Sequence, residues 1–448
     1  IGLRTGEVIM SHEGRVTRTW REGGAGHVSC TVEMVELEWP VEVAVLDEVQ
    51  LVADPERGWA FTQCLLGCPA KQLYVCGEAA MEPLLASICA SMNVSLDVKK
   101  FDRLGKLDLM DAPVAIEDLQ PGDALIAFSR KEIFALKRIV EHRLGAKCAV
   151  VYGGLPLEHR AAQANDFNTR KVPFLIASDA IGLGLNLNIG RVLFSSLQKW
   201  TPTTGLAFVD GRLIRQIGGR AGRCGMGFEE QGGLVGILQM DKDGLMARKF
   251  SNTQMSHLRR LWRRDTEPYR QAGIMAPDDY IIKACEGRTE NLIDFFRDFS
   301  ARRHVSKDYF HAALLPQLNT LQYIEPFLSH VNDLSLDIRS ALTLARAPVK
   351  NNRLASLRVL ESMTRHLHVC AKRENYILPD LASLYLKYTH LPAKQMEEAE
   401  HVHAALELYK WIANRFPHAF LIQNERVLEE QERCSRFLHS LLANWQSI

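Results

Sequence analysis

A glycine- and arginine-rich stretch carries the clearest chemical signal in this sequence. The stretch reads Gln216-Ile217-Gly218-Gly219-Arg220-Ala221-Gly222-Arg223, so that the two arginines lie three residues apart. Because a planar guanidinium can bind two phosphate oxygens at once, this spacing suits a charged phosphate. The glycines would let a nucleotide or another backbone approach closely. We expect both arginines on one face at the start of a helix, and the alternative is a solvated loop.

Two adjacent carboxylates lie far upstream of the arginines. Asp47 and Glu48 follow Val41–Leu46, a mostly apolar segment that is typical of a buried parallel strand. Ligands bind at the carboxyl ends of such strands, where Asp47 would hold Mg²⁺ and Glu48 would orient or deprotonate a water. The alternative is a helix N-cap with an acidic first turn. Together with the arginines, this pair predicts nucleotide hydrolysis by a two-lobed motor.

Two more carboxylates are predicted at strand ends. Glu78 follows the predicted strand Gln72–Cys76, where it is either a cap or a relay between nucleotide and nucleic acid. Asp179 follows the predicted strand Phe174–Ala177 and precedes a glycine-rich segment. The repeated position suggests a second lobe built like the first, and the alternative for Asp179 is a structural capped turn.

Alternating strands and helices must position these residues. Apolar runs typical of strands alternate with amphipathic helices up to residue 238, which indicates parallel sheets with helices on both faces. From about Asn252 the strand patterns disappear and a 3.6-residue periodicity continues to the end. The sequence predicts an α/β fold with lobes at residues 1–112 and 113–250 and an all-α region at 251–448. The proline-containing stretch 97–122 is interpreted as the crossing between the lobes.

Composition narrows the class of protein. The chain has 448 residues, 47% hydrophobic and 24% charged, with a formal net charge of +1, which is typical of a soluble globular protein with two or three domains. No apolar run approaches the roughly 18 residues of a membrane span, so no membrane partner is expected. The ten cysteines are scattered, and Cys64 and Cys68 have no second pair to complete a zinc site, so free thiols are expected. The chain begins at Ile1, so any targeting peptide would lie upstream.

These motifs, in this order, resemble those of superfamily 2 nucleic-acid helicases. They are most similar to the mitochondrial degradosome RNA helicases, the suppressor-of-var family. The resemblance covers about residues 1–350 closely and the last hundred loosely. It rests on the segments Ser29–Met34, Asp47–Gln50, Val75–Glu78, Val151–Pro156, Ser178–Leu187, Asn291–Phe296 and Ala347–Val349, together with Gln216, Arg220 and Arg223.

The resemblance implies a fold of two RecA-like lobes, ATP and Mg²⁺ as cofactors, and a role for each matching residue. Asp47 would hold the Mg²⁺ of ATP, and Glu48 would activate the water. Gln50 and Gln216 would sense the γ-phosphate, and Arg220 and Arg223 would be arginine fingers. Coupling of nucleotide to strand movement would involve Glu78, Asp179, Gly182 and Gly184. Contacts with the nucleic-acid backbone would come from Thr31, Ser129 and Ser178.

The family also implies an activity, a place and partners. The activity is ATP-driven 3′-to-5′ unwinding of RNA, and also of DNA or hybrid duplexes. The place is the mitochondrial matrix, and the protein partner is a 3′-exoribonuclease. One departure is that no G-x-x-x-x-G-K-[ST] phosphate loop occurs in the chain. The first lobe is therefore expected to be truncated, with its phosphate loop upstream of Ile1, and the chain alone to bind ATP poorly. The alternatives are a non-catalytic RNA-binding scaffold that lost the loop, and a DNA helicase outside mitochondria.

Overall fold

In the computed structural model the chain forms two compact units. One comprises Ile1–Lys99 and Glu267–Trp445, and the other comprises Lys100–Thr266 and Gln446–Ile448. The predicted domain boundaries at 112 and 250 remain predictions. The structure describes residues 8–12, 15–16, 27–35, 37–38, 40–182, 186–201, 205–223, 232–240, 245–263, 267–275, 281, 283, 293–295, 298, 304–311, 315–328, 338–349, 354–369, 379, 392–417, 419–420 and 425–443.

The second unit is built on a parallel sheet, as the sequence predicts. Its strands are β6 (Leu107–Leu109), β7 (Val114–Ala115), β8 (Asp123–Ile126), β9 (Cys148–Val151), β10 (Phe174–Ala177), β11 (Arg191–Phe194) and β14 (Gly233–Gln239). The order across the sheet is β6-β14-β11-β8-β10-β9, and β7 also pairs with β14. Because all of these pairings are parallel, the carboxyl ends of β8, β10 and β11 lie along one edge.

Strands β6 and β7 differ from the sequence interpretation. They lie in the stretch 97–122, which was interpreted as a crossing, yet both pair with β14. At three and two residues they are too short to show an alternating pattern, which explains why the sequence did not reveal them.

Amphipathic helices cover this sheet. The helix Arg130–Leu144 begins after Ser129, whose hydroxyl accepts a hydrogen bond from the Glu132 amide at 3.2 Å, and it ends at Gly145 with φ +63°. The other helices of this unit are Leu157–Asn168, Gly211–Gly218 and Leu245–Arg263. Buried side chains of the strands and helices, among them Ile126, Phe167 and Ile217, form one continuous core.

A short antiparallel hairpin also belongs to this unit. It consists of β12 (Gln198–Thr201) and β13 (Gly205–Phe208), with Lys199 opposite Ala207. The Phe208 ring contacts the His257 ring at 3.9 Å between centroids, which attaches the hairpin to the helix Leu245–Arg263.

The first unit contains shorter sheets. Its strands are β1 (Val8–His12), β2 (Arg15–Val16), β3 (His27–Cys30), β4 (Val41–Leu46), β5 (Ala70–Val75), β15 (Ala272–Ile274) and β16 (Tyr309–His311). Strand β4 is parallel as predicted, but Val43 and Val45 are exposed rather than buried. The reason is that side chains alternate between the two faces of a strand: the helices share a core with Leu46, whereas Val43 and Val45 lie on the opposite face.

Helices complete the first unit. Gly58–Gly67 and Glu82–Ser91 pack near β4 and β5, and their buried Phe61, Leu84 and Ile88 share a core with Leu46. The C-terminal region is helical as predicted, with the helices Leu315–Leu328, Ile338–Ala345, Leu354–Val369, Pro392–Arg415 and Glu425–Ala443. The exception is the parallel pair β15–β16, whose three-residue strands are too short to give a strand pattern. Of the helices that the structure describes, none is long and apolar enough to cross a membrane.

Candidate nucleotide site

The carboxylate pair lies where strand β4 ends. The Cys76 amide donates to the Leu46 carbonyl, and the Val49 amide donates to the Cys76 carbonyl, each at 2.9 Å, so the ends of β4 and β5 are joined. Glu48 has φ +56°, in the left-handed region that non-glycine residues rarely adopt. Its amide donates to Asp47 Oδ1 at 2.9 Å, and its own side chain makes no cap hydrogen bond. Glu48 is therefore held in a strained conformation and is not a side-chain N-cap.

The Gln50 side chain is hydrogen-bonded to the Glu48 carboxylate. Gln50 Nε2 donates to Glu48 Oε2 at 2.5 Å. The other amide atom, Gln50 Oε1, is buried without a hydrogen-bond partner and faces Gly77, where an added Cβ would lie 2.7 Å from it. The absence of a side chain at Gly77 thus makes room for the group that orients Glu48.

Glu78 is joined to a segment much later in the chain. The Tyr269 hydroxyl donates to Glu78 Oε2 at 3.2 Å, and the Tyr269 amide donates to the Ala80 carbonyl at 3.1 Å. Glu78 precedes a short 3-10 turn, yet its side chain makes no cap hydrogen bond. Of the two predicted roles for Glu78, the structure therefore does not show the cap.

In the second unit, Ser178 and Asp179 follow β10. Ser178 is buried, its amide donates to the Val151 carbonyl at 2.9 Å, and its hydroxyl accepts from the Ala180 amide at 3.1 Å. Asp179 forms an ion pair with Lys199 of the hairpin, with 2.6 Å between Oδ2 and Nζ. Asp179 is thus linked to β12, a connection that the sequence did not reveal. Gly184, predicted beside it, lies outside the described residues.

The predicted helix start at the arginines is wrong. The helix begins at Gly211, after Asp210, whose side chain accepts from the Arg212 amide, and it ends at Gly218. Gln216 lies in its last turn, and Arg220 and Arg223 follow it. The helix ends at the two adjacent glycines. Gly219 is its C-cap with an ordinary φ of −60°, and a Cβ on Gly218 would lie 2.8 Å from Trp262 Cζ3, so close packing favours glycine there.

Two of the predicted site residues, Gln216 and Arg220, both contact a third, Gly182. The Gln216 side chain packs against Gly182, where an added Cβ would lie 3.6 Å from Gln216 Cδ. Arg220 is buried, and its Nη2 donates to the Gly182 carbonyl. The 3-10 turn Asp179–Gly182, which follows β10, is therefore in direct contact with the arginine-containing loop through Gly182.

Arg223 follows a closely packed glycine. Gly222 precedes it with φ +59°, and its amide donates to the Ile189 carbonyl at 2.8 Å. A Cβ on Gly222 would lie 2.1 Å from the Gly233 amide nitrogen, so only glycine fits. Arg223 itself is partly exposed.

The two remaining predicted nucleic-acid contacts are both reachable from solvent. Ser129 is exposed at the N-terminus of its helix, and Thr31 is partly exposed before the 3-10 turn Val32–Met34. Sequence reasoning missed Arg103, Lys199 and Tyr269, which contact site residues. None of the three belongs to a recognisable motif, although Arg103 lies in the charged stretch 97–122.

Comparison with protein families matches three parts of the chain. Residues 2–101 match the DEXQ-box helicase domain of Suv3, and residues 99–225 match the helicase conserved C-terminal domain. Residues 396–444 match the ATP-dependent RNA helicase SUV3 C-terminal domain.

Curated relatives are similar over most of the chain. The human mitochondrial ATP-dependent RNA helicase SUPV3L1 is 32% identical over 436 residues, which cover 93% of this chain and 52% of that protein. The Saccharomyces cerevisiae mitochondrial ATP-dependent RNA helicase SUV3 is 32% identical, with 90% of this chain and 53% of that protein covered. The Arabidopsis thaliana mitochondrial ATP-dependent RNA helicase DExH16 is 31% identical, with 94% and 70% covered. The chain thus spans about half the length of the human and yeast relatives.

Proposed function

From the premise that this chain belongs to the Suv3 family of DEXQ-box helicases, we propose that the protein carrying it is an ATP-dependent RNA helicase of mitochondria. The observation that carries the proposal is the strand-end group of Asp47, Glu48 and Gln50, in which Gln50 fixes the Glu48 carboxylate. A non-catalytic scaffold is the less favoured alternative, since the relatives are named as ATP-dependent helicases.

Asp47 is the residue that would hold the Mg²⁺ of ATP. Its carboxylate is exposed and accepts one backbone hydrogen bond, which leaves oxygen lone pairs available. This fits Mg²⁺, which usually binds one or two carboxylates and completes its shell with phosphate oxygens and water. When bound, the ion would neutralise charge on the phosphates.

Glu48 would orient and deprotonate the attacking water. A general base is effective when its carboxylate is held in one place, and the Gln50 hydrogen bond together with the left-handed backbone does this. A catalytic role would also explain why a non-glycine residue is kept in this conformation.

The arginines would divide their roles. Arg220 is buried and already donates to the Gly182 carbonyl, so we assign it to coupling between its loop and the end of β10. Arg223 is partly exposed, and among the described residues no hydrogen bond or ion pair holds its guanidinium, so we assign it to the γ-phosphate. Gln216 would sense the nucleotide through its contact with Gly182.

RNA would be bound through phosphate contacts. Ser129 is the best placed of the three candidates, because it is exposed at the N-terminus of a 15-residue helix, where amide groups favour anions. Thr31 is partly exposed and would add a second contact, whereas Ser178 is buried. Duplexes containing DNA as further substrates, and a 3′-exoribonuclease partner in the matrix, belong to the same proposal.

The test is RNA-stimulated ATP hydrolysis by the natural protein that carries this sequence. Glu48→Gln should lower kcat by about 10²- to 10⁴-fold, and Arg223→Ala by about 10³-fold or more. Arg138→Ala, which changes an exposed arginine on the helix Arg130–Leu144, is the control and should leave kcat unchanged. Hydrolysis that survives both site substitutions would refute the assigned roles.

A further inference from the structure

Arg103 contacts the arginine-containing loop although it lies 116 residues upstream. Its Nη1 donates to the Gly219 carbonyl at 2.8 Å, its Nη2 donates to the Ala221 carbonyl, and its Nε donates to the Gly105 carbonyl at 3.1 Å. The Gly219 and Ala221 carbonyls follow the last turn of the helix Gly211–Gly218. The Gly219 carbonyl belongs to the C-cap of this helix, where carbonyls lack intrahelical partners and carry partial negative charge, so a cation is favourable there.

Gly105, two residues after Arg103, packs against the backbone of the same loop. A Cβ on Gly105 would lie 2.7 Å from the Gly222 carbonyl oxygen, so the two backbones are in close contact. On the other side, the Gly222 amide is bonded to Ile189. The backbone that leads into Arg223 is thus held between two parts of the chain.

The positive charges of Arg103 and Arg223 also affect each other. Burial and the neighbouring Arg223 guanidinium lower the pKa of Arg103. Two like charges in proximity repel each other until an anion binds close to them. The Gly219 and Ala221 carbonyls accept from Arg103, and within the described part of the chain no hydrogen bond or ion pair is formed by the Arg223 guanidinium.

We propose that Arg103 is a positioning residue that fixes the loop 219–223 and thereby presents the Arg223 guanidinium to the nucleotide phosphate. This inference rests on the proposed function. Arginine is required because its planar fork reaches two carbonyls at once, which the single ammonium of lysine cannot do in the same geometry. Arg103→Lys should therefore behave like Arg103→Ala.

The experiment compares Arg103→Ala, Arg103→Lys and the control Arg138→Ala in the natural protein. Without nucleotide, amide hydrogen exchange in residues 219–223 should be about tenfold faster in both Arg103 variants and unchanged in the control. With ATP and RNA, kcat should fall by about 10- to 100-fold, because small misplacements of a catalytic group have effects of this size, while KM for ATP stays within about twofold.

A double variant separates positioning from general destabilisation. If Arg103 acts through Arg223, Arg103→Ala should lower kcat no further in an Arg223→Ala background. Additive losses, or unchanged exchange in residues 219–223, would overturn the inference. If the unmodified protein hydrolyses no ATP but the exchange difference appears, the proposed function fails and the role of Arg103 in fixing the loop is supported.

Discussion

Replacing Gly77 with alanine tests how Glu48, the proposed general base, is oriented. The added Cβ would lie 2.7 Å from Gln50 Oε1 and 2.7 Å from Val49 Cγ1. Val49 cannot retreat easily, since it is buried and its amide is bonded to the Cys76 carbonyl at 2.9 Å. The Gln50 side chain has more freedom, so we expect it to move and to release Glu48.

The size of the effect follows from these two contacts. Overpacking against Val49 should lower the free energy of unfolding by about 1–3 kcal/mol. A hydrogen bond to a charged group is worth about 1.5–3 kcal/mol, and its loss at Glu48 corresponds to a kcat about 10- to 150-fold lower. The position of Asp47 should not change, so KM for ATP should stay close to that of the unmodified protein.

The assay measures RNA-stimulated ATP hydrolysis and urea unfolding of the same samples. Gly153→Ala is the matched control, because a Cβ there meets no atom within 4 Å. It should leave kcat and the unfolding midpoint unchanged. A Gly77→Ala protein with normal kcat would refute the argument that Gln50 orients Glu48 through the space left by this glycine.

Two further predictions concern stability and thiol reactivity. Asp123→Asn should lower the free energy of unfolding by about 3–5 kcal/mol, because Asp123 is buried and accepts from Arg191 at 2.7 and 2.6 Å; an unchanged urea midpoint would contradict this. Burial and the neighbouring Cys68 raise the pKa of the Cys64 thiol to about 11, so iodoacetamide at pH 8 should modify the exposed Cys76 well before Cys64. The free energy of unfolding should fall as the pH rises from about 9 towards 11, because the Cys64 thiol then loses its proton in the unfolded chain before it does so in the folded one. Equal labelling of both thiols at pH 8 would contradict the raised pKa of Cys64.

The sequence predicted those parts of the fold that are coded locally. Phe174–Ala177 and Val41–Leu46 are largely apolar segments that each follow a proline and end before a polar residue, and both strands have the predicted limits. The helix Arg130–Leu144 is coded locally in the same way, since it begins after the cap Ser129 and buries Ile133, Phe134 and Val140 on one face. The resemblance to helicases, which rested on ordered motifs, is confirmed by the family matches.

What could not be predicted depends on contacts between distant segments. The bonds from Arg103 to Gly219 and from Tyr269 to Glu78 join residues 116 and 191 positions apart, and no periodicity records such pairs. The prediction of a helix start at Arg220, where a helix in fact ends, was a different kind of error. The paired glycines were interpreted as an approach surface, although their place after an apolar helical turn is typical of a C-terminus.

The contact between Tyr269 and Glu78 also has a consequence during protein synthesis. Glu78 leaves the ribosome 191 residues before its hydroxyl partner, a delay of about 10–40 s at ordinary elongation rates. In that interval the whole stretch Lys100–Thr266 emerges and has its own sheet and core to form. The core of the other unit is complete only after Ala272 has been synthesised and has packed beside Val49 and Val52. The nascent chain is therefore expected to finish the interrupting unit before the one that it interrupts.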